Sequence, residues 1–166
     1  FPAAGYVDAM VSAAHDLLPD QDSLSFESVA FHHLLVLSPD EDSVLQFNYD
    51  ETTGECRLEG ARAGQTDAWQ LHASGRMVRG EITSPPPAID PTALSLEFPT
   101  EVCPEAIYSA LATRQLDYGP AFRRLVGLRR RPGAALAKLS FQPDDEQHEL
   151  HPGLLDGAFQ AMLGAL

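Results

Sequence analysis

Cysteine is scarce in this chain. Cys56 and Cys103 are the two among 166 residues, and neither has metal-ligand or redox spacing. They read as reduced, structurally incidental thiols, which excludes a disulfide-stapled scaffold and makes a cytoplasmic location the expectation. No apolar run approaches the ~20 residues that span a bilayer, and no basic-then-apolar leader is legible at the start. Positive charge is also in short supply. Eleven Lys and Arg face twenty-four Asp and Glu, for a net charge of −13, which argues against general nucleic-acid binding. There is no G-x-G-x-x-G, no Walker-type lysine loop, no G-x-S-x-G elbow and no cluster of Cys or His ligands, so no nucleotide, metal or flavin cofactor is indicated. The adjacent His32 and His33 cannot share one face of a strand and read as sheet residues rather than a metal site.

What is present suffices for a core. With 44% hydrophobic residues, a chain of this length buries on the order of 70% of its unfolded surface. Its charge is unevenly spread: residues 1–112 carry −14, residues 113–143 carry +6 and residues 144–166 carry −5. Arg123, Arg124, Arg129, Arg130 and Arg131 supply most of this basic island. Two readings fit it: long-range attraction of an acidic partner, or a solvated strand pair ending in a turn at Pro132-Gly133.

Periodicity predicts a helix from about Ala3 to Leu18, with Val7, Met10, Val11, Ala14, Leu17 and Leu18 on its apolar stripe and Pro19 as its stop. Strand-like runs follow at Phe31–Leu37, Ser43–Tyr49, Cys56–Ala63 and Trp69–Val78, with a hairpin turn over Asp50–Gly54. One long helix followed by an antiparallel sheet indicates an α+β layer. Consecutive prolines from Ser84 to Pro91 make a stiff connector, so the expected organisation is a first unit at 1–83, a linker at 84–93 and a second unit at 94–166. That second unit should contain a strand at Leu94–Phe98, a helix at Pro104–Ala112, strands near Arg123–Arg130 and Ala134–Phe141, and a helix beginning near Leu154.

Two motifs carry chemistry. His151-Pro-Gly-Leu-Leu-Asp156-Gly-Ala-Phe-Gln160 places a carboxyl and an amide four residues apart, on one face of a helix. Taken alone, Asp156 is open to three readings: a general acid, a helix N-cap or a solvated helix residue. Leu116-Asp-Tyr118-Gly119-Pro120-Ala-Phe122 forms a tight aromatic turn. Together with the opening Phe1-Pro2-Ala-Ala-Gly5-Tyr6-Val7, these motifs resemble the dehydratase domains of polyketide synthases. The resemblance implies a hotdog fold, an antiparallel sheet wrapped around a long helix, here as a partial double hotdog.

It further implies that Asp156 donates a proton to a departing β-hydroxyl while Gln160 orients its carboxyl. Tyr118, Gly119, Pro120, Gly5, Tyr6 and His151 are then expected to border the substrate tunnel or shape it. The substrate would be a 3-hydroxyacyl thioester carried on the phosphopantetheine of an acyl carrier protein, with neighbouring synthase domains as further partners and a homodimeric parent. The basic island would receive the carrier. In this pattern the catalytic histidine lies nine positions before Pro2, outside the 166 residues, so the chain by itself is expected to show little or no activity. A degenerate structural or carrier-docking module and a product-template or cyclising domain are the alternatives. A carboxylic acid that donates near neutral pH must have a raised pKa. A helix N-terminus stabilises the anion by only about 0.3–1 kcal/mol, whereas full burial raises a carboxyl by about 3–5 units, so desolvation should win in a closed site.

Overall fold

Extended backbone at Pro2 opens the first helix, α1 (Ala3–Leu17), which ends just before Pro19. The structure is a computed structural model that describes residues 1–20, 23–65, 68–80, 87–148 and 150–165. The chain divides into two units, Phe1–Pro85 and Pro86–Leu166; Ser84, Pro85 and Pro86 of the expected connector lie outside the described residues.

In the first unit, α1 packs on a four-stranded antiparallel sheet made of β1 (Leu24–Phe31), β2 (Ser43–Tyr49), β3 (Glu55–Arg62) and β4 (Gln70–Arg79), in the order β1-β4-β3-β2. Alternation along β3 sends Cys56, Leu58 and Gly60 inward, and the core gathers Tyr6 and Met10 of α1 against Cys56, Leu58 and Ala73. Burying side chains such as Met10 and Leu58 contributes about 1.5–3 kcal/mol each. The buried stripe of α1 is rotated from the expected one. It runs through Tyr6, Met10 and Ala14, whereas Val7 and Val11 are half-buried and Leu17 is exposed. The large ring of Tyr6 has the most area to bury and sets the helix face.

The expected strand at Phe31–Leu37 is displaced toward the N-terminus. β1 ends at Phe31; after one further backbone bond, from the His32 N–H to the His72 carbonyl at 2.8 Å, side chains take over from the ladder. The Leu35 N–H donates to the Tyr6 hydroxyl at 2.6 Å, and that hydroxyl donates to the His33 carbonyl at 3.2 Å. Leu34 and Val36 are therefore 78% and 81% exposed despite their strand propensity. His32 and His33 lie beyond β1, bonding Ser74 Oγ and the Leu71 carbonyl. The Asp50–Gly54 turn is as expected. Asp50 Oδ1 accepts from the N–H groups of Thr52 and Thr53, and Gly54 takes φ +77°. A Cβ at Gly54 would stand 2.8 Å from the Met77 carbonyl oxygen. Gly54→Ala is accordingly expected to destabilise the fold by about 1–3 kcal/mol, readable as a lower denaturant midpoint.

The second unit opens with a short helix, α2 (Pro91–Ser95), where a strand at Leu94–Phe98 is predicted. Asp90 is its N-cap, accepting from the Thr92 N–H at 2.9 Å, and Pro91 occupies the first helical position. That pair nucleates a helical turn and overrides the apolar run. Strand β5 (Thr100–Val102), helix α3 (Pro104–Ala112), strands β6 (Leu125–Arg131) and β7 (Ala134–Leu139), and helix α4 (Pro152–Met162) follow. The sheet order is β5-β6-β7, and Gly133 makes the β6–β7 turn with φ +74°. Tyr108, Leu125, Leu128 and Ala161 form the core, so α3 and α4 are both anchored on β6.

Candidate active site

Helix α4 starts two residues earlier than predicted, and this rules out Asp156 as its cap. The N-cap is His151, whose Nδ1 accepts from the Gly153 N–H at 3.0 Å, with Pro152 at the first helical position. Asp156 lies beyond the first turn, where the helix N-terminus has little effect on its charge. Its side chain points into the core of the second unit, and the residue is 7% exposed.

Gln160, one turn later and 2% exposed, donates from Nε2 to Asp156 Oδ2 at 2.6 Å and to the Phe122 carbonyl at 3.0 Å. A carbonyl oxygen can only accept, so Phe122 dictates which way the amide points. Both N–H groups are used; Oε1 is buried with no hydrogen-bond partner among the described residues. Burial pushes the Asp156 carboxyl above its ordinary value, and the hydrogen bond from Gln160 pulls part of that rise back.

Tyr118 lies within electrostatic reach of this carboxyl. Burial raises its phenol pKa, and the charge of Asp156 and the neighbouring Tyr108 add to the rise. Tyr108 stacks at a tilt on Tyr118 with ring centroids 6.2 Å apart, and its hydroxyl accepts from the Leu125 N–H at 3.1 Å. Tyr108 belongs to no sequence motif; its three-residue spacing from Leu111, with which it shares the buried face of α3, is its one signal.

The other predicted residues separate. Gly119 and Pro120 are exposed. Gly119 serves through its carbonyl, which accepts from the N–H groups of Phe122 and Arg123, and a Cβ there would meet nothing within 4 Å. At Gly153 a Cβ would stand 2.5 Å from the Ala121 carbonyl oxygen. Gly119→Ala should thus change stability by less than about 0.5 kcal/mol and Gly153→Ala should cost about 1–3 kcal/mol, compared by thermal unfolding.

Tyr6 belongs to the core of the first unit. It is 2% exposed, its hydroxyl is spent on the His33 carbonyl and the Leu35 N–H, and its ring stacks on the buried His72 at 5.6 Å. Gly5 is buried and makes room for the Phe1 ring, 2.7 Å from where its Cβ would be. A cavity of about 550 Å³ in the first unit is lined by Leu35, Gly60, Arg62, Gln70 and His72 among others, and by none of the predicted site residues.

Arg124 is not a docking residue. Its side chain is 3% exposed and pairs at 2.8 Å with Asp145, whose side chain is fully buried. Arg123 pairs with Glu105 and lies over the Tyr108 ring, Arg131 pairs with Glu97 and lies over Phe98, and Arg129 donates to the Phe98 carbonyl. Arg130 is exposed. Among the described residues there is no His, Cys, Asp and Glu cluster fit to hold a metal ion, and no helix is long and apolar enough to cross a membrane.

Comparison with known proteins decides what this site belongs to. Residues 86–166 match the family described as polyketide synthase dehydratase N-terminal domain. Fusarin C synthetase of Gibberella moniliformis is 30% identical over 177 residues, covering 99% of this chain and 4% of that protein. The highly reducing polyketide synthase acrA of Aspergillus aculeatus is 31% identical over 184 residues, covering 99% and 7%. The chain belongs to the polyketide synthase dehydratase family. Among solved structures, the dehydratase domain from the CurF module of curacin polyketide synthase superposes with a TM-score of 0.81 at 25% identity, over 97% of this chain and 60% of that one. GphF dehydratase 1 gives 0.77 at 26%, over 98% and 58%. The fold is thus the expected α+β hotdog of these dehydratases, and the chain spans a small part of the large synthases it matches.

Proposed function

We propose that this chain is the part of a dehydratase domain that supplies the acid for removing water from a 3-hydroxyacyl thioester borne on the phosphopantetheine arm of an acyl carrier protein. The observation that carries the reading is the buried Asp156 carboxyl, raised by desolvation and held by an amide whose orientation Phe122 dictates. Oδ2 receives the Gln160 N–H, which leaves Oδ1 to carry the proton. In the reaction a base takes the α-proton, the Cα–H electrons form the Cα=Cβ bond, the Cβ–O bond breaks, and Asp156 protonates the departing hydroxyl as water. His151 does not act as that base, because its Nδ1 is occupied by the Gly153 N–H and its Nε2 lies 3.4 Å from the Asp145 carboxylate. Tyr118 is proposed as a contact to the acyl chain or its oxygen, since its phenol stays protonated and able to donate.

The product is an α,β-enoyl thioester, and no cofactor is required. A cytoplasmic setting and a homodimeric parent accompany this reading. The test is mass-spectrometric detection of water loss from a 3-hydroxyacyl carrier protein incubated with the intact domain that contains this chain. Inertness toward several acyl lengths would transfer support to a structural module or a cyclising domain.

Carrier docking is proposed for the exposed guanidiniums of Arg123, Arg130 and Arg131, with Arg129 at their edge. Arg130→Glu should raise KM for the carrier-bound substrate several-fold at low ionic strength and little at high salt, because exposed charges are screened beyond about 10 Å at 0.1 M. A pantetheine-linked substrate without the carrier should show no change.

A further inference from the structure

The buried ion pair between Arg124 and Asp145 is weakly accounted for as a source of stability, since apolar side chains of similar volume do as well in such places. What a charged, multiply bonded pair adds is direction. Asp145 receives Arg124 Nη2 on Oδ1 at 2.8 Å and the Gln142 N–H on Oδ2 at 2.7 Å, and His151 Nε2 lies 3.4 Å from Oδ1. Arg124 also donates from Nε to the Ala121 carbonyl at 2.8 Å, and its own carbonyl accepts from Ser140 at 2.7 Å. One carboxylate therefore lies against two pieces that also meet through Gln160 and the Phe122 carbonyl. One is the turn that ends in the Phe122 carbonyl, the acceptor that orients Gln160. The other is His151, the cap from which α4 starts and on which the position of Asp156 depends. The fit is close, with Gly153 against the Ala121 carbonyl and Gly157 within 3.2 Å, at its absent Cβ, of Arg124 Cβ.

We propose that Arg124, Asp145 and His151 are positioning residues, a bracket that sets the distance between the Phe122 turn and α4 so that Gln160 meets Asp156. This rests on the dehydratase reading for its effect on turnover, while its effect on the Asp156 carboxyl stands apart from that reading. The experiment uses the intact domain with two variants: the double replacement Arg124→Met with Asp145→Leu, which removes the pair without stranding a charge, and His151→Asn. Asparagine keeps an acceptor for the Gly153 N–H but has no ring to reach Asp145.

Three readouts are taken on each: thermal unfolding, carbon-13 titration of the Asp156 carboxyl, and kcat and KM for water loss. The expected result is a folded double variant whose Asp156 titration midpoint falls toward the ordinary carboxylate range. Its kcat should drop roughly tenfold or more while KM stays within about twofold, as for a misplaced catalytic group. A folded double variant with midpoint and kcat both unchanged overturns the proposal. Where the double variant does not fold, His151→Asn decides by the same readouts. If the intact enzyme removes water from no thioester, the dehydratase reading fails by itself, and an unmoved Asp156 midpoint in the variants would still overturn the bracket.

Discussion

Asp156→Asn is expected to abolish most dehydration and, near neutral pH, to stabilise the protein. The amide is close in shape to the carboxyl and keeps an acceptor for Gln160, so the loss falls on proton donation. General acid catalysis contributes about 10²–10⁴-fold, and turnover should fall by about that factor. The stability change follows from the direction of the pKa shift. Burial raises the folded-state pKa of Asp156 above its unfolded value. Between the two pKa values the folded protein therefore binds more protons than the unfolded chain, and stability declines as pH rises through that window. The contribution of Asp156 is fully present below the unfolded pKa and is lost above the folded one. Asparagine does not titrate, so the Tm of the variant relative to the native protein should climb as pH rises through this range. In the wild type, kcat/KM should decline as pH passes the same folded-state pKa, because the acid must be protonated to act. Calorimetry across pH, together with the water-loss assay, checks both. A variant that retains full turnover would remove Asp156 from the mechanism, and a flat Tm difference would show that its carboxyl is not desolvated.

Asp145→Ala should be strongly destabilising. It strands the Arg124 guanidinium at 3% exposure and removes the acceptor for the Gln142 N–H. Breaking a buried pair from one side costs about 3–5 kcal/mol. At about 2–4 °C per kcal/mol for chains of this size, Tm should fall by about 6–20 °C. The control is Glu105→Ala, which breaks the pair with Arg123 where both side chains are well exposed. Exposed pairs contribute about 0–1 kcal/mol, so the control should lower Tm only slightly. Equal losses at the two positions would show that burial does not set the strength of the Asp145 pair.

Local signals in the sequence determined a good deal of this protein. The 3.6-residue spacing and Pro19 mark α1, alternation marks β2 and β3, and Asp50–Gly54 carries its turn in its own side chains. The four-residue interval between Asp156 and Gln160 ensures that the two meet on any helix. These features depend on interactions within a few residues, which a linear pattern records. Tertiary structure alone decided the rest. Leu34 and Val36 have strand propensity, yet the Tyr6 hydroxyl claims the backbone beside them from across the unit. Arg124 sits among four other arginines and reads as surface charge, until Asp145, twenty-one residues on, draws it inside. Tyr108 and the Phe122 carbonyl join the site through contacts between elements. Long-range partners and burial carry no period in the sequence, and they are what turn Asp156 from a helix carboxylate into a candidate acid.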